Sequence, residues 1–288
     1  MKRAIVVFGL WLSACATPLP SPDAPTPAPP EARAAPCDPP FTIPPGLIAS
    51  VRAQFDANRT GPAPAMAPAD ILAYQKMQAA QLIRDWPSLC NFRGDNFALS
   101  QLPADPRRVV FMGDSITQNW LLADPGFFAT SLVNRGISGQ TTPQMLIRFR
   151  ADVIALHPAA VHLLAGVNDI AGNTGPSTLG AIEDNLAAMV EIARANGVRV
   201  ILASPLPADA FNWAPQARPA NEIRALNTWI KDYAVRNHLT YADYYTSMAT
   251  TAGGLKPELT LDGVHPNKRG YDLMEPITRT AIAASLAH

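Results

Sequence analysis

The sequence predicts an α/β protein, a parallel sheet covered on both faces by helices. Two patterns carry that expectation. From Arg107 onward, short apolar runs of strand length alternate with amphipathic stripes at helical spacing. The runs are apolar throughout rather than at every second residue, which suits strands buried on both sides.

The elements follow in order. The run 109–112 is the first strand and ends at Gly113; 131–134 is the second, 160–165 the third, 198–203 the fourth and 239–243 a weaker fifth. Leu179, Ile182, Leu186, Met189 and Ala193 make one helical stripe; Ile223, Leu226, Ile230 and Tyr233 make another. Tyr271, Met274, Ile277 and Ala281 make a third. Upstream, residues 46–104 read as a helical arm. Leu47, Ile48, Val51 and Phe55 mark a first helix over 46–57, and Ile71, Leu72, Met77, Leu82 and Ile83 a second over 67–86. Gly61-Pro62-Ala63-Pro64 breaks the chain between them. Residues 105–288 are the main domain.

The first 45 residues have another character. Met1-Lys2-Arg3 is basic, and the apolar stretch 4–11 is too short to span a bilayer. Leu12-Ser13-Ala14-Cys15 follows and resembles a bacterial lipobox. The expectation is a signal peptide over 1–14, lipid on Cys15 and a membrane-anchored protein of the cell envelope. Ala16 stands where an inner-membrane retention signal would place Asp, which points to the outer membrane, facing the periplasm. Residues 15–45 hold twelve of the 29 prolines and read as an extended tether. With Cys15 lipidated, Cys37 and Cys90 remain, an even count in a compartment that permits a disulfide. Bridging them closes a loop worth about 4 kcal/mol on the chain-entropy account; two buried free thiols are the alternative. Lys and Arg together number 23, as do Asp and Glu. A balanced chain without a basic patch argues against nucleic acid as partner.

In open α/β sheets ligands bind beyond the carboxyl ends of the strands. The first strand runs into Gly113-Asp114-Ser115, the second into Asn134-Arg135-Gly136-Ile137-Ser138-Gly139, the third into Gly166-Val167-Asn168-Asp169. All three sets fall on one rim. A serine hydroxyl becomes a nucleophile when a base takes its proton. Ser115 stands where a helix begins, so it is equally readable as a helix cap. Of the five histidines, His288 is terminal, His157 precedes a proline, His162 lies inside a strand and His238 ends a helix. His265 remains, three residues after Asp262 in a glycine-containing turn, a spacing that lets the carboxylate hold one ring nitrogen while the other faces a serine. Alone, this pair reads as well as a solvated loop. The Asn168 side chain and the Gly139 N–H are candidate oxyanion donors, although Asn168 also suits a turn. Trp120 and Trp213 are open between pocket, core and surface.

Four blocks in order, Gly113-Asp114-Ser115-Ile116-Thr117, 134–142, Gly166-Val167-Asn168-Asp169 and Asp262-Gly263-Val264-His265-Pro266, resemble those of the GDSL or SGNH hydrolases. The spelling is most similar to the platelet-activating-factor acetylhydrolase-like branch. The resemblance spans roughly 107–285. It implies a three-layer α/β/α sandwich with a five-stranded parallel sheet of flavodoxin type. It also implies Ser115 as nucleophile, His265 as base, Asp262 as its partner, and an oxyanion hole of Ser115, Gly139 and Asn168. The implied activity is hydrolysis of small esters of short acids, acetyl above all, including acylated carbohydrate. Acyl transfer to envelope carbohydrate and lysophospholipase or arylesterase activity are the alternatives. The spacing calls for no metal and no cofactor. The arm, outside the match, is free to cover or shape the pocket. Oligomeric state is not written in the sequence.

Overall fold

A computed structural model describes residue 37 and residues 40–56, 65–129 and 131–287. The signal peptide 1–14, the lipidation site Cys15, the tether as far as residue 36, and His288 lie outside the described residues. Those described belong to one compact unit, Pro36–His288, in which arm and main domain are joined.

Five strands form one sheet: β1 (Val109–Gly113), β2 (Leu132–Gly136), β3 (Ala160–Leu164), β4 (Arg199–Ala203) and β5 (Thr240–Ala242). Their order is β2-β1-β3-β4-β5. All neighbours are parallel, the order and direction of the flavodoxin-like doubly wound sheet. In this order the chain reverses direction across the sheet between β1 and β3, the place where such sheets bind ligands.

The strand residues alternate between two cores. Val110, Met112, Val161, Leu163, Val200 and Leu202 face one, with α5 (Thr142–Asp152), α7 (Leu179–Ala195) and α8 (Ala220–Arg236) packed on them. Val109, Phe111, Ala160, Leu164, Ile201 and Ala203 face the other, with α4 (Ser115–Ala123), the short α9 (Tyr245–Met248) and α10 (Lys268–Leu286). Both faces of the sheet are covered, which is why the strands read as unbroken apolar runs. The sequence placed β2 two residues short: Arg135 and Gly136 extend it into the second polar block.

The arm holds α1 (Pro45–Gln54), α2 (Pro68–Arg84) and α3 (Arg93–Ser100). α1 begins within the segment read as tether, on Pro45, whose fixed φ suits a first helical turn. α3 went unread because no apolar stripe marks it. Phe55 after α1 sets its ring edge on Tyr271 of α10 at 5.8 Å. Beyond α2, the carbonyls of Trp86 and Pro87 accept from Gln144 Nε2 (2.7 Å) and Gln140 Nε2 (3.0 Å). Cys37 and Cys90 are joined, Cα to Cα 5.3 Å, so a covalent bond brackets α1 and α2.

Candidate active site

Ser115 is the first residue of α4, directly beyond β1. The helix cap is not Ser115 but Asp114, whose Oδ1 accepts from the Ile116 N–H at 3.0 Å. The Ser115 hydroxyl is thereby left free for other partners. It lies 3.0 Å from His265 Nε2, across 150 residues of chain. His265 Nδ1 lies 2.8 Å from Asp262 Oδ2. The other Asp262 oxygen accepts from the Val264 N–H (3.0 Å) and the His265 N–H (2.8 Å), so one carboxylate fixes both backbone and ring. The Thr260 hydroxyl and the Leu261 N–H donate to the His265 carbonyl, which closes the loop.

Charge follows from these contacts. Burial works to raise the Asp262 pKa, but the His265 hydrogen bond and charge outweigh it and bring it to about 2. Asp262 is therefore a carboxylate near neutral pH and can only accept, so the ring proton sits on Nδ1 and Nε2 faces the hydroxyl as acceptor. Burial also opposes a charged His265, yet the bond to Asp262 and the charges of Asp262 and Asp114 hold its pKa above the ordinary 6.5. Asp114 has its own pKa raised to about 6, chiefly by burial.

Asn168 sits in the short helix α6 (Val167–Ile170) beyond β3 and is almost fully buried. Its Nδ2 donates to the Gln140 carbonyl at 3.0 Å and reaches Asp114 Oδ2 at 3.4 Å; its Oδ1 accepts from Asn173 Nδ2 at 2.9 Å. These partners fix the orientation of the amide. Gly139 has φ of +79°, and an added Cβ would meet only Asn173 Nδ2, at 3.8 Å. Glycine is therefore needed there for its backbone angle rather than for space. Space is the constraint at Gly136, where a Cβ would strike the backbone of Thr117 and Gln118.

The loop over 137–140 is braced by residues that the sequence reading missed. Ser138 N–H donates to Gln118 Oε1 at 2.7 Å. Arg148, fully buried on α5, donates to Gln140 Oε1 (2.5 Å), Asp152 Oδ2 (3.0 Å), and the carbonyls of Arg135 (2.8 Å) and Gly113 (3.2 Å). It thus holds the ends of β1 and β2 and the loop together. The signal was available: Arg148 falls between Met145 and Phe149 on the buried face of its helix. Asp169 accepts from the Thr142 N–H and hydroxyl and ties α6 to the start of α5. Trp120 is a core residue, stacked on Phe127 at 4.9 Å. Trp213 is exposed beside the site, its ring 6.1 Å from that of His265 and its Nε1 donating to Asn173 Oδ1 at 3.0 Å. His162 is buried beside Tyr244, and desolvation lowers its pKa to about 3, so it stays neutral. Among the described residues, no group of three or more His, Cys, Asp or Glu side chains is placed to hold a metal ion.

Comparison with known proteins adds the following. The family model for the GDSL-like lipase/acylhydrolase family matches residues 111–273, which include Ser115, Gly139, Asn168, Asp262 and His265 and exclude α1–α3. Esterase TesA of Pseudomonas aeruginosa is 29% identical over 178 residues, 57% of this chain and 81% of that protein. A GDSL-like lipase from Bacteroides thetaiotaomicron is 42% identical with a TM-score of 0.68, covering 69% of this chain and 99% of that one. A catalytic mutant of an acetylxylan esterase from Geobacillus stearothermophilus has a TM-score of 0.51 at 21% identity, over 61% of this chain and 93% of that one, a likeness of fold alone.

Proposed function

Because the chain belongs to the GDSL-like lipase/acylhydrolase family and is a carboxylic ester hydrolase, we propose that it works as a serine esterase through Ser115, His265 and Asp262. The observation that supports the reading is the continuous path Ser115 Oγ, His265 Nε2, His265 Nδ1, Asp262 Oδ2, with contacts of 3.0 and 2.8 Å. His265 takes the Ser115 proton as Oγ bonds to the ester carbonyl carbon. The negative charge collects on the carbonyl oxygen, where the N–H groups of Ser115 and Gly139 and the Asn168 amide receive it. Asn168 Nδ2 gives up its longer contact, the 3.4 Å approach to Asp114, to do so. The intermediate collapses as His265 returns the proton to the alcohol oxygen; the carbon–oxygen bond breaks and the alcohol leaves. Water, deprotonated by the same histidine, then attacks the acyl-enzyme, and the acid departs with Ser115 restored.

The acyl half in this reading is short, acetyl first, with water as acceptor. The protein is proposed to act in the cell envelope, held through lipid on Cys15 at the outer membrane. Ser115→Ala in the full chain should abolish hydrolysis of p-nitrophenyl acetate and covalent labelling by a fluorophosphonate. Retention of either, in a protein that unfolds like the parent, would overturn the assignment.

A further inference from the structure

A cavity of about 590 Å³ opens over Ser115, and half of its wall comes from outside the family match. On one side stand Ser115, Leu261, Asp262 and His265. The floor is a stripe of α4, with Gln118, Asn119 and Leu122 on the helix face that carries Ser115. The far wall is the arm: Leu47, Ile48 and Val51 of α1 and Ile71 of α2 give it aliphatic surface, and Tyr74 and carboxamides of Gln54, Gln75 and Gln78 stand beside them. The wall is anchored. Leu47 and Phe55 are buried, Val51 packs on the core beside α4 and α10, and the disulfide closes the segment.

The size and chemistry of this space limit what fills it. Its volume lies within the ~300–1,000 Å³ typical of ligand pockets, and an acetyl group leaves most of it empty. Among the described residues no lysine or arginine lines it, so no cationic side chain there meets a phosphate headgroup. Its apolar side chains come mainly from the arm, and carboxamides, Tyr74 and Ser138 share the lining as hydrogen-bonding groups.

Catalytic geometry says which half of the ester enters. His265 Nε2 must hand its proton to the alcohol oxygen, so that oxygen lies within hydrogen-bond reach of the ring. The alcohol carbon then continues into the space bounded by His265, Asp262 and Leu261, which is the arm-walled cavity. The oxyanion side, by Gly139 and Asn173, opens instead on a smaller recess of about 200 Å³ rich in amide side chains. We propose that the α1–α2 arm is the specificity element of this esterase, and that its aliphatic wall receives an apolar alkyl or aryl alcohol half of the substrate. The inference rests on the roles given to Ser115 and His265 above.

Two substrate series test it, followed by proton release with the full chain. One is ethyl, butyl and hexyl acetate; the other is ethyl acetate, butyrate and hexanoate. Each methylene that enters an apolar wall is worth up to about fourfold in kcat/KM. The expected result is a rise of at least about tenfold from ethyl to hexyl acetate, with a flatter acid series. Ile48→Asn and Ile71→Asn should each cut the hexyl-to-ethyl ratio severalfold. Ile83→Asn, on the exposed end of α2 away from the cavity, should leave that ratio as it is. The ratio is insensitive to how much of a variant is folded. A flat alcohol series in an enzyme that hydrolyses ethyl acetate overturns the proposal, and so does a gradient confined to the acid series or one untouched by both arm substitutions. Hydrolysis that survives Ser115→Ala overturns the catalytic reading instead, so the two failures are distinct.

Discussion

Arg148→Met removes the side chain that binds the rim of the site together. Arg148 and Asp152 are both fully buried, and their contact is 3.0 Å. Breaking a buried pair by deleting one partner costs about 3–5 kcal/mol, mostly because the other charge is left uncompensated. Here Asp152 keeps one donor, Asn96 Nδ2 at 2.7 Å, and the Gly113 carbonyl keeps the Ile137 N–H at 3.0 Å. These survivors place the loss toward the lower end, about 3 kcal/mol, or a fall in Tm of about 6–12 °C for a unit of this size. Urea unfolding measures it directly. Gln140 loses its guanidinium contact, and its carbonyl holds Asn168, so kcat should fall as well while KM changes little. In an Asn168→Ala background the same substitution should cost stability but little further kcat. Arg148→Lys should recover only part, because an ammonium cannot serve four acceptors in the plane of a guanidinium. A stability loss below about 1 kcal/mol with an unchanged m-value would refute the argument that this pair is held by mutual compensation.

Other outcomes follow from the same contacts. Asn168→Ala should lower kcat by about 10²–10³, the scale of one oxyanion donor; a loss below threefold would remove Asn168 from that role. Activity requires neutral His265, whose pKa is raised, so kcat/KM should fall as pH drops through a midpoint above 6.5. Asp262→Asn deletes the main influence raising that pKa; the midpoint should move to lower pH and kcat should fall by about 10³–10⁴. An unmoved midpoint would show that Asp262 does not hold the ring. Gly136→Ala should destabilise more than Gly139→Ala in urea unfolding, since the first meets backbone and the second only an unfavourable φ costing about 1 kcal/mol.

The sheet was readable because a parallel strand buried on both faces leaves an unbroken apolar run, as in 160–164. Ser115 and His265, which the structure brings to 3.0 Å, were legible for a different reason. Each block alone reads as well as a cap or a solvated loop, and it is the four blocks in order, by their resemblance to the family, that single the two residues out. What escaped was whatever depends on partners distant in sequence. Nothing local marks Gln140 as a carbonyl support for Asn168, or Asp114 rather than Ser115 as the cap. Trp120 and Trp213 look alike on the page, yet one is core and the other stands beside His265. The arm was visible as helices, but its apolar stripe does not say which side faces the cavity.

The bond between Cys37 and Cys90 closes the segment that carries the arm's part of the cavity wall. The path from Ser115 to Asp262 draws on residues outside that segment. The chain freedom that the bond removes therefore falls on the wall of the cavity rather than on the groups that meet at the serine. Reduction should loosen the wall, which keeps the burial of Leu47 and Phe55, more than it disturbs the contact of serine with histidine.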